Sequence, residues 1–369
     1  MTQFRIYLDD RPAPPEFMDA IASVVVEQEI DLAWEARIEI PDCQNDAGEW
    51  SKATQLGLAD IARVRIEVKV ADTFEALIDG PVVGADGDLD SEPGQSAQIL
   101  RVHDDSVLLN RDIEPTRWEN KTDSEIADAI FARYPALTTR RVDPTPTPSG
   151  RRPPEVAQNE SDIQLLRELA RRHPHFHAYV LPGPTPSASV ACFNAVGQSD
   201  RTLPEMVLTG AGRNISSFSA RADRNLPARV VVGTFDVANR QETGAEATAE
   251  DFRRFADTFD LGGQEPRTVT IRPESGEAVD SQTLVDAEAA RRAWQVEASG
   301  SVLGHCYGGV LRPYDLVTVQ GAGRNSGQYL IKAVRHALDD STYGQEFTLL
   351  RDGISSSSGG GGGVPAGIM

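Results

Sequence analysis

Residues 311–351 constrain the fold more than any other part of this chain of 369 residues. Leu316, Thr318 and Gln320 alternate with Val317 and Val319, and this period of two predicts a half-buried strand. Three closely spaced glycines follow and mark a tight turn. The segment therefore predicts antiparallel strands joined by short turns.

The strand after this turn needs one extra residue. Tyr329 and Ile331 share one strand parity, whereas Val334 and His336 share the other. A β-bulge at residues 332–333 would bring all four side chains to one face and bend the strand as a small barrel requires. The returning strand then carries three large side chains on one face: Tyr343, Phe347 and Leu349.

Composition limits the classes of function that the chain can have. Asp and Glu total 56 against 36 Lys and Arg, which gives a formal net charge of −20. Direct nucleic-acid recognition is not expected, because phosphate binding needs clustered cations. Cys43, Cys192 and Cys306 are far apart and odd in number, which argues against a disulfide framework.

The N-terminal residues MTQFRIYLDDRP carry no signal-peptide pattern, and no run of about 18 apolar residues occurs. We therefore expect cytoplasmic assembly and no membrane insertion by the chain itself. The chain could still leave the cytoplasm as part of a particle.

Strand alternation and composition divide the chain into four parts. Residues 1–115 are predicted to form a first β-barrel domain, and residues 116–205 an α/β middle domain with a proline-rich loop. Residues 206–354 are predicted to form a second β-barrel domain with an acidic insert at 239–263. A flexible Ser/Gly tail at 355–369 completes a β-rich α+β chain.

Two helices of the middle domain have clear beginnings. Thr122 and Glu125 have the spacing of a capping box, and Ser161 and Gln164 repeat it. In the second β domain a helix is predicted from Gln282 to about Glu297 with Leu284, Ala287, Ala290 and Trp294 buried. A short helix is predicted in the insert around Phe252, Phe255 and Phe259.

Three histidines, His173, His175 and His177, invite a metal interpretation. On a strand, His175 and His177 would point to the same face and could share zinc or nickel. No Glu or Cys lies nearby at a matching spacing, and Pro174 separates the first two histidines. A helix-to-strand junction without a metal is the favoured interpretation.

The remaining chemical motifs favour structural roles. GAGRN occurs at residues 210–214 and 321–325, but no helical pattern follows either copy, so both are predicted to be turns rather than phosphate loops. His305 and Cys306 would point to opposite faces of a strand. His336 is predicted to make a structural hydrogen bond. We therefore expect no catalytic, metal or cofactor-binding residue and no cofactor.

Ordered motifs across residues 104–351 resemble the contractile-tail baseplate hub family. This family includes phage late control protein D and the hub half of the type VI secretion valine-glycine repeat protein. The matching positions are Asp104, Ser106, Leu109 and Arg111; Asn120, Thr122 and Ile126; Gln158, Asp162 and Leu169; and Tyr329, Ile331, Val334, His336 and Phe347.

The resemblance implies a non-enzymatic structural hub of a contractile phage tail or a phage-tail-like injection system. Such hubs form homotrimers in which two similar barrels per protomer make a ring of six units. The ring adapts a sixfold inner tube protein to a threefold spike, among other baseplate proteins. Because this chain ends after the second barrel, the resemblance implies a separate spike protein.

Two alternative functions remain open from the sequence. A tail-associated metal-dependent hydrolase would use His175 and His177 as ligands. An effector-loading adaptor would bind its cargo through the acidic insert at 239–263.

Overall fold

The computed structural model describes residues 3–44, 48, 50–92, 94–147, 155–197, 201–236, 241–272, 281–339 and 342–356. Residues 148–154 of the predicted proline-rich loop and residues 357–369 of the predicted tail lie outside this range. No helix in the described ranges is long and apolar enough to span a membrane.

The N-terminal region consists almost entirely of strands. These are β1 (Phe4–Leu8), β2 (Arg11–Pro12), β3 (Ser23–Glu29), β4 (Glu35–Pro41), β5 (Arg63–Val70), β6 (Thr73–Asp88) and β7 (Ala97–His103). Two short helices connect them, α1 (Pro15–Met18) and α2 (Ser51–Gln55). Alternation buries one side chain in two along β3 and β4, as expected of a sheet with one solvated face.

The middle region combines two helices with short strands. Its elements are β8 (Thr116–Glu119), α3 (Asp123–Phe131), β9 (Leu137–Val142), β10 (Glu155–Gln158), α4 (Asp162–Arg171), β11 (Phe176–Pro182) and β12 (Ser189–Ala195). The predicted capping box of α3 is confirmed, because the Thr122 hydroxyl accepts from the Glu125 amide at 3.2 Å while the Glu125 carboxylate accepts from the Thr122 amide at 2.8 Å.

The C-terminal region contains a second set of strands interrupted by an insertion. The set comprises β13 (Met206–Val207), β14 (Ile215–Ala222), β18 (Val296–Val302), β19 (Leu316–Gln320), β20 (Gly327–Leu338) and β21 (Tyr343–Arg351). Between β14 and β18 lie β15 (Ala228–Asp236), β16 (Gln241–Thr248), β17 (Arg267–Ile271) and α5 (Ser281–Arg291). The inserted strands form a separate three-stranded sheet against which α5 packs.

Two predictions within this insertion need correction. Helix α5 ends at Arg291, earlier than predicted, because Val296 already begins a strand that pairs with β14 and β21. Val285 rather than Leu284 is fully buried. The predicted short helix around Phe252 is a single 3₁₀ turn, Ala249–Phe252, which follows the strand β16.

One sheet of 13 strands joins the two terminal regions. Its order is β14-β18-β21-β20-β3-β4-β7-β6-β5-β1-β2, with β19 pairing β20 and β13 pairing β19. The predicted β-rich α+β class is confirmed. The two β regions are parts of one sheet, because β20 pairs with β3 across the boundary between them.

The sheet has the same plan on both sides of this central pair. On one side β3 is followed by β4, β7 and β6, and on the other β20 is followed by β21, β18 and β14. All these neighbours are antiparallel. The chain order differs, since β14 and β18 precede β20 whereas β6 and β7 follow β4. The strands of the two halves therefore have the same order in the sheet but follow one another in a different order along the chain.

The predicted bulge in β20 is confirmed. The register against β21 shifts between Ile331 and Ala333. As a result Tyr329, Val334 and His336 are all at most 2% exposed, together with Ile331. These side chains contribute to the core of the second β region, except His336, which faces the first region.

Candidate functional site at the joint of the two β regions

The joint is the antiparallel pair of β3 and β20. Six residues of each strand pair in register, from Ala333 opposite Glu29 to Leu338 opposite Val24. Val24 and Val26 alternate inward along β3, and Gln28 occupies the next inward position. A polar side chain at a position that alternation assigns to the core needs a hydrogen-bond partner there.

Gln28 finds its partners on both sides of the joint. Its amide nitrogen donates to the Leu77 carbonyl at 2.7 Å, and its amide oxygen lies 3.2 Å from His336 Nε2. His336 Nδ1 lies 2.9 Å from the Tyr343 hydroxyl. Gln28 is 2% exposed and His336 is completely buried. The predicted structural hydrogen bond of His336 therefore exists and connects one β region to the other.

Burial fixes the charge state of this histidine. Desolvation, together with the positive charge of the nearby Arg312 guanidinium, lowers the pKa of His336 to about 3. With a neutral ring, Nε2–H donates to Gln28 and Nδ1 accepts from the Tyr343 hydroxyl. The joint is thus held by neutral hydrogen bonds at its centre.

Cations reinforce the joint beside this centre. Arg312 donates from Nη2 to the Ala76 carbonyl at 2.9 Å, so the second region also binds the backbone of β6. Burial lowers the pKa of Arg312 to about 10, and the positive charge of Arg201 acts in the same direction. Arg201 bridges the carboxylates of Glu75 and Asp315, one from each region.

Tyr314 attaches the middle region to the same joint. Its hydroxyl accepts from the Asp31 amide at 2.9 Å, and its ring stacks on Tyr179 with centroids 3.6 Å apart. Asp31 also accepts a hydrogen bond from His177 Nδ1 at 2.9 Å. Three regions of the chain therefore meet at the β3–β4 turn.

The solvated face of the joint forms a groove of about 770 Å³. Four carboxylates line it, Glu27, Glu29, Glu35 and Glu346, together with two guanidiniums, Arg37 and Arg335. Arg335 lies 3.6 Å from Glu27 across the joint and 3.8 Å from Glu346 within its own region. The outer face of the joint is therefore net acidic.

Each of the three histidines of the metal hypothesis has its own contacts. His173 Nε2 pairs with Asp123 at 2.8 Å, His177 pairs with Asp31, and His175 packs edge-on against Trp294 at 5.7 Å. His175 precedes β11 and has φ +62°, so the alternation assumed for a strand does not apply to it. His175 therefore lies outside β11, and the condition for the predicted shared face with His177 is not met. No group of three or more potential metal ligands occurs within the described ranges.

The two GAGRN copies are neighbouring turns. The first joins β13 to β14 and the second joins β19 to β20, and β13 pairs in parallel with β19. Asn214 of the first copy donates its amide to the Val207 carbonyl at 2.9 Å, which links β13 to β14. The second copy leads through a 3₁₀ turn into β20. Both are turns, as the missing helical pattern predicted.

The pair His305 and Cys306 lies in a 3₁₀ turn, Gly304–Cys306, and not on a strand as assumed. Three residues of the joint were not predicted from the sequence: Gln28, Arg312 and Tyr314. A signal for Gln28 was present, because it interrupts the inward alternation of Val24 and Val26.

No family model and no curated protein matches the chain. Solved structures match it along almost its full length. The 43 kDa tail protein of prophage MuSo2 from Shewanella oneidensis is 14% identical with a TM-score of 0.65, covering 96% of this chain and 100% of that one. A tail protein from Neisseria meningitidis MC58 is also 14% identical with a TM-score of 0.62, covering 96% and 97%.

A third structure widens the comparison. An E. coli component of the type VI secretion system, described as similar in structure to tail proteins of T4 bacteriophage, is 12% identical with a TM-score of 0.57. The match covers 94% of this chain and 76% of that one. At the level of the fold, the resemblance to the contractile-tail baseplate hub family is therefore confirmed: the chain has the fold of these phage tail and type VI secretion proteins.

Proposed function

We propose that the chain is a structural baseplate hub of a contractile phage tail or of a phage-tail-like injection system. It acts mechanically and without catalytic turnover. Three copies form a homotrimer that connects a sixfold inner tube to a separate threefold spike, with other baseplate proteins around it. Localisation in the assembled particle follows from this role.

The repeated plan of the sheet about the β3–β20 pair carries this proposal. Each half presents four antiparallel strands in the same spatial order, so one chain offers two comparable surfaces. Three such chains offer six, which is the number a sixfold tube requires. The polar hydrogen bonds of Gln28 and His336 support this role, since they hold the two halves in one register.

The domain division predicted from the sequence is part of the proposal. The two comparable units are residues 1–115 and 206–354. Residues 116–205 contact both of them. The insertion between β14 and β18 interrupts the second unit without entering the order of the main sheet.

The acidic face of the joint suits the wall of a channel. The carboxylates of Glu27, Glu29, Glu35 and Glu346 repel nucleic acid, whose phosphates carry the same sign. We expect a variant with Glu27 and Glu346 changed to Lys to retain nucleic acid that the original protein releases. Equal retention by both proteins contradicts this part of the proposal.

Mass determination of the purified chain, alone and with its tube and spike partners, tests the proposal. A mass of three chains is expected, and electron-microscopic class averages should show a ring with six similar lobes. A stable monomer in the presence of both partners, or a ring without sixfold features, contradicts it. The interfaces of a stable trimer should each bury more than about 1,000 Å².

A further inference from the structure

A second cavity lies where the middle region meets both β regions. It measures about 380 Å³ and is lined by the β3–β4 turn, α4, the start of β11, the end of α5 and the strands β20 and β21. Four cationic side chains and three imidazoles face it: Arg167, Arg171, Arg291, Lys332, His173, His175 and His177. Asp31 is the only carboxylate of the lining. A cationic cavity is unexpected in a chain of net charge −20.

Some of these groups already have partners. Arg291 pairs with Glu288 and donates to the Arg171 carbonyl at 2.5 Å, and Lys332 pairs with Glu297 at 2.8 Å. His173 and His177 are each bonded to an aspartate. These groups define the electrostatic potential of the cavity but do not need a ligand.

One guanidinium nitrogen and one imidazole are buried without a hydrogen bond in the described part of the chain. Arg167 Nε is buried and makes no hydrogen bond, and neither ring nitrogen of His175 makes a well-directed one, although the Phe252 backbone lies close to the ring. His175 is only 8% exposed. Arg171 is exposed, and its charge and that of Arg167 both act on the Asp31 carboxylate. Buried polar groups without hydrogen bonds commonly indicate a bound water or ion.

The helix places the two arginines together. Arg167 and Arg171 are four residues apart on α4 and therefore occupy the same face, where like charges repel each other. The negative end of the helix dipole favours Arg171 at the last turn. That effect does not satisfy the buried Nε of Arg167. Asp31 offsets part of this positive charge, and a further anion beside the two guanidiniums would also pair the buried Nε of Arg167.

We propose that this cavity binds the phosphate group of a small organic molecule through Arg167, Arg171 and His175. Two guanidinium forks and an imidazole offer more donors than the two oxygens of a carboxylate can accept, whereas a tetrahedral oxyanion matches them. The apolar part of the ligand would lie on Ile30, Trp294 and Leu350, which also line the cavity. This inference does not depend on the proposed hub function.

Calorimetric titration of the full chain tests the site at constant ionic strength and neutral pH. Inorganic phosphate and sulfate should each bind with one-to-one stoichiometry, and acetate should not. Phenyl phosphate should bind more tightly than inorganic phosphate because of the apolar lining. Absence of phosphate binding at millimolar concentration, or equally tight acetate binding, overturns the proposal; equal affinities for the two phosphates overturn its organic part.

Variants locate the binding. Arg167→Gln and Arg171→Gln should each weaken phosphate binding about tenfold, because each removes a charge-assisted contact. Arg213→Gln is the matched control, since this exposed arginine lies on a turn outside the cavity, and it should bind as the original protein does. Arg167→Lys keeps the charge if Arg167→Gln fails to fold, and it should still weaken binding because the fork is lost. Unchanged affinity in both Arg167 and Arg171 variants overturns the assignment.

Discussion

The two halves of the main sheet reach the same spatial order by different routes. In the first half, β6 and β7 are joined by the short connection 89–96. In the second half, the corresponding β14 and β18 are separated by residues 223–295, which build a sheet and a helix of their own. The two halves are therefore comparable in the order in which their strands pair, and not in the way the chain connects those strands.

The halves also differ in their cores. The first is filled mainly by aliphatic side chains around Trp34 and Phe17, and the second packs Tyr329 and Phe347. The joint belongs to both, because Gln28 comes from one half and His336 from the other. We therefore expect the two halves to unfold in one transition. The following substitutions and conditions test this expectation.

Removing a large core side chain from either half should have the largest effect. Trp34→Ala and Phe347→Ala should each lower the free energy of unfolding by about 3–5 kcal/mol, because both side chains are almost completely buried. Urea unfolding followed by circular dichroism measures this. Both variants should shift one shared transition.

Leu32→Ala is the control for these two variants, since Leu32 is 55% exposed and its loss should change stability by less than about 0.5 kcal/mol. Two separate transitions, each sensitive to only one of the core variants, would show that the halves are independent units.

Breaking the hydrogen bonds of the joint should have the next largest effect. Gln28→Leu removes the hydrogen bonds of Gln28 to His336 Nε2 and to the Leu77 carbonyl, both of which stay buried. The free energy of unfolding should fall by about 1–3 kcal/mol. Gln328→Leu, at an exposed position of β20, makes the same chemical change without a buried partner and should be nearly neutral. Equal unfolding free energies of the two variants would contradict a stabilising role of Gln28.

Acid should weaken the joint through His336, which belongs to the second half. His336 has a pKa of about 3 in the folded protein, whereas an unfolded histidine titrates near 6.5. Between these values only the unfolded state takes up the proton, so stability is lost as pH falls from about 6.5 towards 3, at about 1.4 kcal/mol per pH unit for this group. Above pH ~6.5 the contribution is constant.

Chemical denaturation at a series of pH values measures this slope. His336→Gln should remove the contribution of one histidine to this slope. His175 should still contribute, because burial lowers its pKa to about 3 as well. Arg312 and Tyr343 face His336 and belong to the same environment. A variant with the slope of the original protein would mean that His336 does not stay neutral.

The smallest effect is expected on the solvated face. Arg335→Gln removes contacts to Glu27 and Glu346, and it should cost less than about 1 kcal/mol because these side chains are exposed. The difference from the original protein should shrink further in high salt. A decrease in the free energy of unfolding above about 2 kcal/mol would indicate that Arg335 contributes substantially to the stability of the joint.

Local features of the chain were predictable because their determinants lie close in sequence. The bulge near Lys332 follows from a change of parity within one strand, and the start of α3 follows from the spacing of Thr122 and Glu125. The face of His175 was not predictable in this way. Its positive φ at the junction before β11 breaks the alternation that the sequence pattern assumes.

The joint itself could not be derived from spacing. Gln28 and His336 are separated by 308 positions, and nothing in either neighbourhood specifies the other. The polar residue on the inward side of β3 showed that a partner was needed, but only the assembled sheet identified it. The same holds for the cavity, whose cations come from α4, α5 and β20.

Hydrophobic alternation and helix capping act over a few residues, so the amino-acid sequence was sufficient to predict the β-rich class, the turns, the bulge and the helix starts. Only the folded chain shows that the two β regions share one sheet, which side chains fill the joint and where the cations of the cavity meet. These depend on contacts between distant segments, and such contacts form only when the whole core is packed.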